Sequence, residues 1–228
     1  MKSHLIFASL LILSLLGFNL ETTGQPKSES HIQTIIDGRV WVPKTSASLE
    51  EQFFLKKMKL KGSFLYKGVR FNNLEFAYDL SNEEILIAVE TFEKNKSIII
   101  VNPHCLEGFS VNYHLNTFDF LRGDLLHEKL DSQYYYQVIK SKNLQYIIKR
   151  KKHRKAKSIH SMTDKCFDEN SLFLISESKL IPVKGKNDIL NLFPDQKKEM
   201  KRFIRNNKLK IRTETPLDAV PLLLKFDL

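Results

Sequence analysis

Glycine and cysteine are scarce in this chain, and several catalytic motifs are missing. It has only 8 glycines in 228 residues, and none of them forms a phosphate-binding loop, a dinucleotide-binding fingerprint or a G-x-S-x-G turn. Its 2 cysteines form no C-x-x-C pair, and no H-E-x-x-H accompanies them as a zinc motif. The chemistry that depends on these motifs is not indicated, and the sequence nominates no catalytic residue, cofactor or metal ligand.

Long apolar runs are equally few. The one that exists extends from Leu5 to Leu16 and follows Lys2, which is typical of a secretory signal peptide. We predict a signal peptide over residues 1–24, a polar segment and linker over 25–51, and a single domain over 52–228. The run is shorter than the about 20 residues of a membrane span, although an uncleaved anchor is the alternative. No transmembrane span is expected in the mature chain.

Positive charge is concentrated in one part of the chain. The formal net charge is +10, and the stretch from Lys149 to Arg212 alone contains 19 lysines and arginines against 7 aspartates and glutamates. That stretch holds more positive charge than the chain as a whole, so the remainder is slightly acidic. The asymmetry indicates a basic surface on the C-terminal part rather than a general bias toward solubility.

Apolar and polar residues alternate through the middle of the chain. The alternating apolar positions include Leu74, Phe76, Tyr78, Leu80, Phe109, Val111, Tyr113 and Leu115. This period of two is typical of half-buried antiparallel strands. From Gln52 to Val183 we therefore predict a mainly β (α+β) fold, with a curved antiparallel sheet or partial barrel.

The pattern becomes helical after the last predicted strand. Met200 and Ile204 lie on one face of a predicted helix that ends near Asn207, and a shorter helix precedes it. We therefore predict two short C-terminal helices. The apolar tail from Leu217 to Leu224 is interrupted by Pro221, and we expect it to pack back on the core.

Three stretches carry a resemblance to known proteins. They are GSFLYKGVRFNNLEFAYDLSNEEILI, YYYQVIKSKNLQYIIKRKKHRK and KNDILNLFPDQKKEMKRFIRNNKLKI. In these stretches the chain resembles a group of uncharacterised secreted bacterial proteins of the domain-of-unknown-function kind. The resemblance implies a periplasmic or outer-membrane-associated location and a β-rich body that ends in helices. It implies no activity and supplies no catalytic residues.

The most distinctive local feature is the basic run KRKKHRKAK, which extends from Lys149 to Lys157. Its cations are Lys149, Arg150, Lys151, Lys152, Arg154, Lys155 and Lys157. The longer predicted helix adds Lys198, Lys201, Arg202 and Arg205. Two interpretations stay open: contact with an anionic envelope polymer, lipid head groups or a protein partner, and a strand end that continues into a solvated loop. Because export is predicted, no nucleic acid partner is expected.

The two cysteines, Cys105 and Cys166, also allow two interpretations. An oxidising compartment permits a disulfide if their Cα atoms lie within about 7 Å, and the alternative is two separate thiols. Compared with the resembling proteins, residues 156–170 look like a local insertion, and Cys166 lies in it.

The chain contains 16 phenylalanines and 7 tyrosines, many of them in the predicted strands. These aromatic residues can fill a core or line a cavity for an apolar ligand. Three functional hypotheses result. The leading one is a non-catalytic envelope protein that binds through a basic C-terminal surface. The alternatives are a carrier of an apolar or lipid ligand in a curved sheet, and an enzyme of unknown class.

Overall fold

Strands are the dominant element of the computed structural model, which describes residues 38–42, 49–90, 96–141, 144–155 and 165–226. The predicted signal peptide, the polar segment up to residue 37 and Lys157 lie outside these residues. No helix among those described is both long and apolar enough to cross a membrane.

Eleven strands of the described chain form one open antiparallel sheet, which confirms the predicted β fold. They are β1 (Arg39–Val40), β2 (Leu60–Tyr66), β3 (Val69–Asp79), β4 (Glu84–Glu90), β5 (Lys96–Ile100), β6 (Leu106–Tyr113), β7 (Asn116–Arg122), β8 (Tyr135–Lys140), β9 (Leu144–Lys149), β12 (Ser171–Ser176) and β13 (Lys179–Val183). Their order is β1-β5-β4-β3-β2-β6-β7-β8-β9-β12-β13. The strands β10 (Lys152–Lys155) and β11 (Lys165–Asp168) form a separate hairpin.

The large sheet is curved, as predicted. Strand β3 lies five places from β9 in the sheet, which corresponds to about 24 Å if the sheet were flat. Yet the segments that follow these two strands meet, because the backbone N–H of Lys152 donates to the carbonyl of Leu80 at 3.0 Å. The curvature therefore brings the basic run beside the turn between β3 and β4.

A bulge adjusts the inward face of β3. Leu74, Phe76 and Tyr78 are buried on that face, as the alternation predicts. Phe71 lies on it too, although it is three positions before Leu74, because the pairing with β2 shifts and Asn73 has a φ of 57°. The extra residue keeps both apolar side chains in the core.

Three short helices follow the last strand. They are α1 (Lys186–Leu192), α2 (Lys197–Asn206) and α3 (Val220–Phe226). The sequence predicted two, because Pro221 suggested an interrupted tail. A proline at the second position of a helix removes no intrahelical hydrogen bond, so α3 forms around it. Its Leu222 and Leu223 are buried, so the tail does pack back on the core.

Two hydrophobic clusters occupy the same face of the sheet. The aromatic cluster, from the strands up to β8 and the 3-10 turn before β2, contains the rings of Phe54, Phe64, Tyr66, Phe76, Tyr78, Phe109, Phe120 and Tyr135. The helix cluster, from β9, β12, β13 and the helices, includes Tyr146, Ile148, Leu172, Leu174, Ile189, Leu190, Met200, Ile204, Leu222 and Leu223. The helices thus cover one half of this face, while the other half is filled by its own rings.

Candidate functional site

The basic run is divided by the geometry of the strand in which it starts. Lys149 ends β9 and Arg150 follows it, so their side chains leave the chain on opposite sides of the sheet. The run therefore does not present one continuous surface, and each of its cations has surroundings of its own.

Lys149 contacts the turn after β3 and an aromatic ring. Its Nζ lies 3.7 Å from Oε1 of Glu83, and 3.1 Å from the centre of the Tyr134 ring. Burial lowers the pKa of Lys149 and raises the pKa of Glu83, while the attraction between the two charges opposes both shifts. This cation is thus used within the protein.

Arg150 is enclosed between the two clusters. Its Nε and Nη2 donate hydrogen bonds of 2.9 and 2.7 Å to Oε1 of Gln137, and the guanidinium lies 5.8 Å from the centre of the Phe54 ring. Gln137 is only 3% exposed, and on its face of β8 it stands between Tyr135 of the aromatic cluster and Ile139, which packs on the helix cluster. Burial lowers the pKa of Arg150.

Lys151 and Lys152 attach the start of the hairpin to the body of the protein. The Nζ of Lys151 lies 3.8 Å from Oε2 of Glu169, and the Nζ of Lys152 donates to the carbonyl of Glu51. Four of the cations predicted for a binding surface, Lys149 to Lys152, therefore make contacts within the chain. Among the other cations of the run that the structure describes, Lys155 is exposed and Arg154 is half-buried.

Helix α2 places the other predicted cations together. Lys198, Lys201, Arg202 and Arg205, which we call the α2 cation stripe, are all exposed. Their spacing of i, i+3, i+4 and i+7 puts them on one side of the helix, and the buried Met200 and Ile204 hold the opposite side against the core. Within the part of the chain that the structure describes, no side chain of the stripe forms an ion pair or hydrogen bond.

The segment after α2 returns to the end of the sheet where the basic run begins. Asn170 donates its side-chain N–H to the carbonyl of Thr213 at 3.0 Å, and the hydroxyl of Tyr146 donates to the carbonyl of Pro216 at 2.9 Å. The next residue after Asn170, Ser171, pairs with Lys149. These hydrogen bonds connect the segment after α2 with the end of the sheet, but they do not bring the α2 cation stripe into contact with Lys155.

The acidic turn after β3 is organised around one buried carboxylate. Asp79 is fully buried and accepts four hydrogen bonds of 2.7 to 3.0 Å, from the side chains of Gln52 and Asn82 and from the backbone N–H groups of Ser81 and Asn82. Within the described residues, no three His, Cys, Asp or Glu side chains converge as a metal-binding group. Asp79 therefore fixes the turn.

The two cysteines are separate thiols in the structure. Cys105 is half-buried against the aromatic cluster, and Cys166 lies in β11 of the separate hairpin. No S–S bond connects the hairpin to the large sheet through them.

The rings of the aromatic cluster pack against one another. The rings of Phe109 and Phe120 stack with centroids 4.6 Å apart, and Phe64 and Phe76 meet edge to face at 4.7 Å. Open grooves also occur among the described residues, and one of about 380 Å³ has Phe109 and Phe120 in its walls together with Ser110 and Asp119. One of about 810 Å³ has polar walls that include Lys61, Asn112 and Thr117, and one of about 740 Å³ includes His127 and Glu177. The aromatic cluster is thus core.

Comparisons with known proteins assign no family to this fold. Neither the protein-family models nor the curated proteins nor the solved structures contain a match to the chain. The resemblance to secreted envelope proteins stays a prediction.

Proposed function

We propose that this chain is an exported, non-catalytic protein that binds an anionic component of the cell envelope through the α2 cation stripe. The observation that carries the proposal is the unneutralised charge on one side of α2. Four cations share that side, and none is paired within the described chain. Because Met200 and Ile204 are buried in the core, the helix is fixed with this side toward solvent.

The stripe has an energetic cost that an anion would remove. Like charges three or four residues apart on a helix destabilise it by about 0.2 to 0.5 kcal/mol for each pair. Each lysine or arginine near an anionic surface gains about 1 kcal/mol. Binding of this kind is fast, weakly specific and reduced by salt, because screening acts within about 10 Å at moderate ionic strength.

Export is the second part of the proposal, and the predicted signal peptide supports it. A positive start before the run from Leu5 to Leu16 is the pattern that directs a chain across a membrane. In that location lipopolysaccharide and acidic lipids supply the anionic surfaces, so a basic surface needs no nucleic acid partner.

The test compares two variants of equal net charge. In the first, Lys198, Lys201, Arg202 and Arg205 are replaced by glutamine. In the control, glutamine replaces four exposed lysines of the β-rich part, which likewise have no ion pair within the described chain: Lys57, Lys59, Lys61 and Lys129. Binding to lipopolysaccharide micelles is measured by fluorescence anisotropy over a range of salt concentrations.

The stripe variant should bind at least about a hundredfold more weakly at low salt, whereas the control should lose only the small part that depends on net charge. Salt should weaken wild-type binding more steeply than binding by the stripe variant. Equal losses in both variants would mean that binding follows total charge alone, and the proposal would then be wrong. Far-ultraviolet circular dichroism confirms that both variants keep the fold.

A further inference from the structure

The hairpin of β10 and β11 has two different faces. Exposure alternates along β10, and along β11 from Lys165 to Phe167. The side chains of His153, Lys155, Lys165 and Phe167 are all exposed and share one side, which we call the hairpin face. On the other side Lys152, Arg154 and Cys166 are half-buried, whereas Asp168 at the base of the hairpin is exposed. The hairpin face therefore points away from the protein.

Two like charges stand directly opposite each other on the hairpin face. Lys155 pairs with Lys165 in the antiparallel register, and both are exposed. Directly opposed side chains have Cβ atoms about 5 Å apart, and like charges in these positions destabilise the pairing. By contrast, Lys152 at the base of the hairpin stands opposite Asp168. The unfavourable pair thus lies at the outer end, where an external anion can reach it.

An exposed aromatic ring accompanies this pair. Phe167 is 51% exposed, and it is the one phenylalanine of the described chain in the exposed class. It lies two residues from Lys165 on the same side of β11, a distance of about 7 Å. One apolar side chain and two cations therefore share a small area, which is the composition of a surface that meets lipid head groups.

The hairpin face has a fixed position because the base of the hairpin is attached to the body. A two-stranded hairpin alone is marginally stable in water. Here Lys152 contacts the carbonyls of Leu80 and Glu51, and the N–H of Glu169 donates to the carbonyl of Lys151 at 2.9 Å. The outward direction of the face is therefore set by the protein body.

We propose that the hairpin face docks on an acidic lipid bilayer. Phe167 enters the boundary between head groups and acyl chains, and Lys155 and Lys165 contact lipid phosphates. The inference rests on the proposed function in that the partner is an anionic envelope component, and it specifies the bilayer as that component. Charge complementarity accounts for the lysines, and the exposed ring favours a bilayer over a polymer because a polymer offers it no apolar layer.

The test measures partitioning of the full chain onto sedimented vesicles. The vesicles contain either phosphatidylcholine alone or an equal mixture of phosphatidylcholine and phosphatidylglycerol. The variants are K155Q/K165Q, F167S and, as a control of matched charge, K57Q/K59Q. The α2 stripe variant is measured on the same vesicles, so that the two proposals are separated.

On acidic vesicles K155Q/K165Q should partition about thirtyfold more weakly at low salt and approach the wild type as salt rises. F167S should lose about fivefold at every salt concentration, because its contribution is apolar. The control should partition like the wild type. A second measurement uses F167W, whose added emission should shift to shorter wavelength on acidic vesicles only.

Specific results would overturn the inference. If the hairpin variants partition like the wild type while the stripe variant loses binding, the hairpin proposal is wrong and the proposed function stands. If the wild type binds dextran sulfate with the same dependence on Phe167 and on the two lysines, the partner is a polymer and the bilayer assignment is wrong. If neither hairpin nor stripe variants lose binding to acidic vesicles or micelles, both proposals are wrong.

Discussion

The side-chain oxygen of Gln137 accepts two hydrogen bonds from the guanidinium of Arg150, at 2.9 and 2.7 Å, between two hydrophobic clusters. The next residues of the chain, Lys151 and Lys152, begin the hairpin. A cation within a basic run is thus used to fix the point at which that run leaves the sheet.

Replacement of Gln137 by leucine should destabilise the protein by about 2 kcal/mol or more. A half-buried guanidinium that loses its acceptor has a larger cost than a neutral group, because its desolvation is no longer compensated. The double variant Q137L/R150M should recover most of that loss, since both polar groups are then replaced by apolar ones of similar size. Urea denaturation measures the free energies. If the double variant is as unstable as Q137L, the loss does not come from the unpaired guanidinium, and the pair contributes through the packing of its side chains alone.

Asp79 should be among the residues least tolerant of substitution. Asp79→Asn preserves the shape, but it turns one acceptor into a donor that faces the side-chain N–H groups of Gln52 and Asn82. We expect a loss of about 2 kcal/mol, and more for Asp79→Ala, which removes all four hydrogen bonds. Thermal and urea unfolding provide the measurement.

The matched control for Asp79 is Asp119→Asn. Asp119 is exposed and accepts one side-chain hydrogen bond, from Ser110 at 2.6 Å. Its substitution should change the stability by less than about 1 kcal/mol. Equal effects at the two positions would contradict the role given to the buried carboxylate.

Alternation predicted the strands well where burial is one-sided, and it failed at one turn. Tyr113 and Leu115 continue the period of two, yet β6 ends at Tyr113. Leu115 lies in the turn between β6 and β7 and is 102% exposed. His114 adopts a φ of 53° there without the Asn-Gly sequence that usually indicates such a turn. The pattern alone could not distinguish the turn from a longer strand.

The basic run shows what composition could and could not predict. Its charge suggested one surface, but neighbouring residues of a strand point to opposite sides of the sheet. The side chains of Lys149 and Arg150 therefore lie on different sides. The alternation of Tyr146 and Ile148 would have placed Arg150 on the buried side if it had been continued by two residues. The partner Gln137 depends on the register between β8 and β9, and the partner Glu83 depends on the curvature of the sheet; no local pattern contains either. The spacing of the α2 cation stripe, in contrast, was present in the sequence.

Glu83 should make stability depend on pH in the acidic range. Its pKa is raised above the usual 4.5 chiefly by burial, against the opposing attraction of Lys149 and Lys151, and Asp131 raises it further. A carboxyl with a raised pKa in the folded state stabilises the fold below its unfolded pKa, and this contribution is lost as pH rises through the folded pKa. Glu83→Gln should therefore match the wild type near pH 4 and become relatively more stable toward neutral pH.

Urea unfolding at a series of pH values measures that difference. Glu169→Gln serves as the control, because it removes an equal charge from an exposed ion pair with Lys151 whose contribution to stability is small. If Glu83→Gln instead loses stability relative to the wild type as pH rises, the attraction to Lys149 outweighs the cost of burial, and the prediction is wrong.

The opposed lysines of the hairpin predict a gain in local stability when they are neutralised. K155Q/K165Q removes a direct like-charge pair, so the hairpin should be stabilised by about 0.2 to 1 kcal/mol. Amide hydrogen exchange in β10 and β11 measures the local opening and should become slower.

Lys152→Gln is the contrasting control and should make exchange faster, because Lys152 stands opposite Asp168 and contacts the Glu51 carbonyl. Faster exchange in K155Q/K165Q would show that the two lysines stabilise the hairpin, and the energetic reason for an external anion would be lost. Slower exchange together with weaker vesicle binding would separate their functional role from any structural one.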